Sequence, residues 1–137
     1  MTSSITLDQA EEVIRASLTK AKELGFTVAV AVVDMQTSLV ASARMDGTNP
    51  FTPDVTRGKA VATVVTKGTP SGIAAGRFPQ ELLSVVRDLY GGRITWAQGA
   101  VPLYRGDELI GAVAAGGAPT DKDEAIAQAG ADALKGR

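Results

Sequence analysis

Apolar positions first recur at helical spacing. Leu7, Ala10, Ile14, Leu18 and Ala21 mark one face, and Thr6 to Gln9 has the spacing of a capping box. Gly25 can take the left-handed stop conformation, so a helix is predicted from about Thr6 to Leu24. Phe26 to Val33 is then almost wholly apolar and rich in valine, the pattern of a central strand covered on both faces. After a polar turn at Asp34 to Ser38, Leu39 to Met45 alternates and predicts a second strand.

Asp46 to Phe51 reads as a loop, and Thr52-Pro53 opens a second helix that Gly68 ends, with Val55, Ala62 and Val65 on its apolar side. A bend at Thr69 to Gly72 and a short helical turn at Ile73 to Ala75 follow. Pro79 to Leu89 predicts a further helix, with Leu82, Val85, Val86 and Leu89 sharing a face. Ile94 to Ala97 reads as a short strand. Val101 to Tyr104 and Leu109 to Val113 flank the polar loop Arg105-Gly106-Asp107-Glu108, which predicts a β-hairpin. Gly116-Gly117 leads to Thr120, read as the cap of a last helix from Asp121 to about Leu134. Asp121, Asp123 and Glu124 read as acids placed at its positive end.

The predicted order is α-β-β-α-α-β-β-β-α. Short β-β connections suit a mainly antiparallel sheet with packed helices: an α+β fold, profilin-like or PAS-like, in one domain over residues 1–137. A doubly wound parallel sheet needs a helix between successive strands, and here it is missing.

Composition narrows the chemistry. With 45% hydrophobic and 21% charged residues the chain has enough apolar material for a core. A net charge of -1 argues against a nucleic-acid or anionic-membrane partner. There is no cysteine, which rules out disulfides and thiolate chemistry, and no histidine, which rules out Ser-His-Asp triads and histidine-held zinc or haem iron. No metal-ligand set is assigned. The start, MTSSITLDQAEE, has neither the basic region nor the apolar core of a signal peptide, so a cytoplasmic location is expected.

Three segments together resemble the GlcG/HbpS-like family, also described as the PduO C-terminal-like or haem-degrading-domain family. The first joins Val32-Val33-Asp34, Leu39-Val40-Ala41 and Ala43-Arg44-Met45-Asp46-Gly47. The second is Lys59-Ala60 with Thr63 after it. The third joins Gly99-Ala100-Val101-Pro102-Leu103, Leu109-Ile110-Gly111-Ala112-Val113, Gly116-Gly117 and Asp123-Glu124. The resemblance covers about Thr6 to Leu134. It implies a small α+β domain that assembles into a homo-oligomer and, as in several members, a haem or related tetrapyrrole ligand. Other members stand beside corrinoid or glycolate enzymes. Gln98-Gly99-Ala100 stands where members often carry three glycines, Ala115 where they often carry serine, and a histidine ligand to iron is absent. The implied haem or corrinoid would therefore be held without histidine.

Candidate site residues follow. Arg44, with Asp46 two positions on, suits a two-pronged grip on a carboxylate or propionate, or an ion pair that fixes the loop. Lys59, among small apolar neighbours, suits an anion anchor or a catalytic base, or a lysine bonded to a strand end. Trp96, the one tryptophan, suits a pocket wall or a core position. Gln98 would narrow a pocket and add hydrogen bonds. Gly116-Gly117 suits close packing or a backbone anion site without the P-loop signature, and Tyr90 and Tyr104 carry no local sign of activation. The leading expectation is a binding protein for haem, a corrinoid or a smaller anionic metabolite, with its pocket between Lys59, Arg44 and Gln98. The alternatives are a cofactor-independent isomerase, lyase or hydrolase using Lys59 as base, and a ligand-free structural or regulatory subunit.

Overall fold

The computed structural model describes residues 4–135. The first three residues of the polar N-terminal segment lie outside them. The helix α1 spans Leu7–Leu24 and opens with the expected capping box: the Gln9 backbone N–H donates to Thr6 Oγ1 (3.2 Å) and the Thr6 N–H donates to Gln9 Oε1 (3.1 Å). Gly25 closes it at φ 79°, the left-handed conformation that glycine adopts without steric cost. Its buried face holds Ala10, Ile14 and Ala21 as expected and differs at its edges. Leu7 is exposed, and Val13 and Ser17 are buried instead, because α1 packs against another helix as well as the sheet.

Four strands form one sheet: β1 (Ala29–Asp34), β2 (Leu39–Arg44), β3 (Ala100–Arg105) and β4 (Glu108–Gly116). Their order is β2-β1-β4-β3, and every neighbouring pair is antiparallel. The Asp34 carboxylate shapes the first turn by accepting from the backbone N–H groups of Gln36 (2.9 Å) and Ser38 (3.0 Å). The second hairpin is tighter than the sequence predicts. Arg105 pairs with Glu108, leaving a two-residue turn at Gly106-Asp107.

The remaining helices are α2 (Thr52–Val65), α3 (Ser71–Arg77), α4 (Gln80–Leu89) and α5 (Thr120–Asp132). Pro53 lies in the first turn of α2, as expected. α3 is longer than the predicted turn. Thr120 is the first residue of α5 rather than its cap, and the N-cap position falls to Pro119.

The expected strand at Ile94 to Ala97 does not form. Ile94 is buried in the core, and the Trp96 Nε1–H donates to the Leu83 carbonyl (2.9 Å). The segment's apolar residues are spent on helix-side packing, and its backbone joins no ladder. The α4 face is a second correction. Leu83 is its buried residue, while Leu82, Val85 and Leu89 are 46%, 54% and 76% exposed. α4 rides over the Trp96 segment instead of the sheet, so of the expected row Val86 packs against the core while the other three face outward.

Helices cover both sides of the sheet. α1 and α5 pack on one face, where Val30, Val32, Val101, Leu103 and Val113 meet Val13, Ile14 and Ile126. α2 packs on the other, where Ala100, Ala112 and Ala114 meet Ala60, Val61 and Val64. No helix among the described residues is long and apolar enough to cross a membrane.

Candidate functional site

Lys59 projects from α2, Asp123 from the first turn of α5, and the two helices lie on opposite faces of the sheet. Their side chains meet at its end. Lys59 Nζ donates to Asp123 Oδ2 (3.1 Å) and to the Ala115 carbonyl of β4 (3.2 Å). The other carboxylate oxygen, Oδ1, accepts from the Ala118 backbone N–H (3.0 Å). Both residues are sealed, Lys59 at 4% and Asp123 at 1% exposure. The pair links the two helical layers past β4.

Gly99 makes room for that reach. A Cβ there would stand 2.8 Å from Lys59 Nζ and 2.8 Å from the Ala115 carbonyl oxygen, and its φ of 144° disfavours other residues. Burial pushes the Asp123 carboxyl above its ordinary value, against the opposing pull of the Lys59 ammonium and the Ala118 N–H.

Asp123 is the functional neighbour that the sequence reading missed by treating it as one of three helix-start acids. A signal was present. Asp123, Ile126, Ala127 and Gly130 follow the i, i+3, i+4, i+7 spacing of one helix face, and all four are buried. An acid on such a face needs a cation, and Lys59 lies in a buried run from Gly58 to Val64.

The other expected site residues are spread over three cavities. Trp96 lines one of about 270 Å³ with Val65, Phe78, Leu82, Leu83 and Val86, and Lys67 stands in the same wall. Gln98 lines one of about 410 Å³ between α3, β3 and α5. Arg44 and Asp46 line a third, of about 400 Å³, with Leu18 and Lys22 of α1. Lys59 lines none of these three. The single pocket expected between Lys59, Arg44 and Gln98 is thus replaced by separate spaces, because Lys59 turns inward to Asp123. Phe78 and Lys67 had no sequence signal: Phe78 precedes a proline in a loop, and Lys67 follows the end of α2 at φ 59°.

These features define a small α+β domain whose two helical layers are clasped through the end of an antiparallel sheet. The chain belongs to the HbpS-like family: the family model described as haem degrading protein HbpS-like matches residues 5–132. A double mutant of Streptomyces reticuli HbpS has a similar structure, with 28% identity over 98% of this chain and 89% of that one and a TM-score of 0.86. Klebsiella pneumoniae protein ORFY is similar at 25% identity over 100% and 94% of the two chains, with a TM-score of 0.88. A PduOC–haem complex shares the fold at 22% identity over 96% of each chain, with a TM-score of 0.83. No curated protein matches the chain.

Proposed function

We propose that this protein binds a planar, largely apolar molecule carrying an acidic group, with haem or a related tetrapyrrole as the leading ligand class. The carrying observation is the Trp96 cavity. Its wall is apolar, built on Phe78, Leu82, Val86 and Trp96, and it holds one cation, Lys67. An apolar wall with few placed polar groups is the usual form of a small-molecule site. Membership of the HbpS-like family and the haem in the PduOC complex support the ligand class.

The residues fit part of a tetrapyrrole. Phe78, Leu82 and Trp96 would hold one edge of the ring, and Lys67 would pair with a propionate. The cavity, at about 270 Å³, is too small to enclose the whole ring, and the remainder would stay outside it. Haem, when bound, would supply iron chemistry. This chain's contribution there is apolar contact and one positive charge, since no histidine, cysteine, methionine or tyrosine lines the cavity to serve as axial ligand. Lys59 and Asp123 hold the sheet end in shape and do not line this cavity.

Self-association belongs to the same reading. α4 presents Val85 and Leu89 outward, with Glu81 at its start and Arg87 near its end. Two copies of α4 paired antiparallel would bury the apolar row and bring unlike charges together.

Haemin and metal-free protoporphyrin titrations test the ligand reading. Both are expected to saturate at a defined stoichiometry with comparable affinity, because the iron gains no strong ligand. Phe78→Ala and Trp96→Ala should each weaken binding about tenfold, the loss typical of an aromatic anchor. A titration that never saturates, or variants that bind as the parent does, would overturn it.

A further inference from the structure

We propose that the cleft between α3, β3 and α5 is a second ligand site, built for a small organic ammonium compound that also carries a hydrogen-bond acceptor. It stands apart from the Trp96 cavity and does not rest on the reading of that cavity.

The cleft, of about 410 Å³, is lined by Ile73, Gln98, Val101, Glu124 and Gln128, with Pro70 and Gly72 closing one side. That volume falls within the usual range for small-molecule sites. Its lining holds one carboxylate and no cation, so it favours positive charge and repels acids. Glu124 is half-buried and has no hydrogen-bond or ion-pair partner among the described residues. A carboxylate partly removed from water gains most from a charged donor.

Two amides complete the pattern, each with one end already committed. The Gln98 carbonyl oxygen accepts from Thr120 Oγ1 (3.2 Å), which leaves its NH₂ group to donate. The Gln128 NH₂ group donates to Asp132 Oδ1 (2.9 Å), which leaves its carbonyl to accept. The free groups are therefore one carboxylate, one carbonyl and one amide donor. An ammonium satisfies the first two, and an acceptor on the same molecule satisfies the third. Ile73, 52% exposed at the rim, and Val101 at the base supply contact for a short alkyl linker.

The amide of Gln98 is also held in place. A Cβ on Gly72 would stand 2.8 Å from Gln98 Cβ and 2.9 Å from its Cγ, so the side chain lies directly on α3 while Thr120 holds its tip. A donor fixed from both sides loses little entropy on binding.

The test is nuclear magnetic resonance on the intact chain, titrated in parallel with β-alaninamide and N-acetyl-β-alaninamide at equal ionic strength. β-Alaninamide, with its ammonium, should shift the Gln98 and Gln128 side-chain amide signals saturably. The acetylated compound, which lacks the charge, should not saturate. Glu124→Gln should weaken β-alaninamide binding about tenfold or more, as loss of a charge-assisted contact predicts. The proposal is overturned by the absence of saturable shifts, by equal binding of the acetylated compound, or by a Glu124→Gln protein that binds as the parent does.

Discussion

The two faces of the sheet are built from different residues, and they do different work. Val30, Val32, Val101, Leu103 and Val113 fill the face under α1 and α5, a thick layer that excludes water. Under α2 the strands present Ala100, Ala112 and Ala114, and the helix answers with Ala60 and Ala62. Small residues on both sides let backbones approach closely. A close helix can send a long side chain past the sheet end, and Lys59 uses that route to reach Asp123. The alanine side also leaves α4 and the Trp96 segment with little to pack on, and the apolar cavity lies there.

The largest expected effect is at the clasp between the faces. Lys59→Met leaves the Asp123 carboxylate buried without its cation, which should destabilise the fold by about 3–5 kcal/mol at neutral pH. The loss should shrink in acid, and the sign follows from Asp123. Burial already raises its folded value above the unfolded one, and removing the ammonium raises it further. Stability tied to the protonated carboxyl is then complete below the ordinary aspartate value and declines as pH rises through the raised folded value. Asp123→Asn in the Lys59→Met background should restore most of the loss and flatten this dependence. Urea unfolding of both proteins across acidic and neutral pH measures it. A Lys59→Met deficit that is unchanged in acid, or unrelieved in the double variant, would show that the pair is not the clasp.

The next effect separates the faces themselves. Leu103→Ala empties space in the thick layer and should cost about 2–5 kcal/mol. Ala114→Leu adds bulk where α2 lies close and should cost about 1–3 kcal/mol through overpacking. Thermal and urea midpoints of the two variants give the comparison. An alanine face that accepts leucine without loss would mean that α2 does not sit tightly on it.

Much of the fold is legible in the sequence where a local signal and the tertiary role agree. The Thr6–Gln9 box, Gly25 and Pro53 act within a few residues of chain, and each places an element end. The antiparallel α+β order follows from them. Legibility ends where a residue's partner is remote. Ile94 to Ala97 has the apolar content of a strand, but whether its backbone pairs depends on what covers it, and Trp96 is drawn to Leu83. Asp123 looks like any acid in a first helical turn until its helix face is set beside the α2 lysine, 64 positions earlier. Arg44, Trp96 and Gln98 stand out in the sequence by residue type, which carries no information on how far apart folding places them.

The smallest effect on stability should come from the outward row of α4, and it probes what lies outside both faces. Val85→Ser and Leu89→Ser alter side chains that are 54% and 76% exposed, so unfolding free energy should stay within about 0.5 kcal/mol of the parent. Self-association should respond far more, because the same two side chains supply most of the row's apolar area. Sedimentation velocity across a concentration series distinguishes the two readouts, with the double variant shifted to smaller species while its urea midpoint is held. An unshifted distribution would remove α4 as the contact between copies. A lowered urea midpoint would mean instead that the row is covered within the subunit, and that the alanine side is closed as firmly as the valine side.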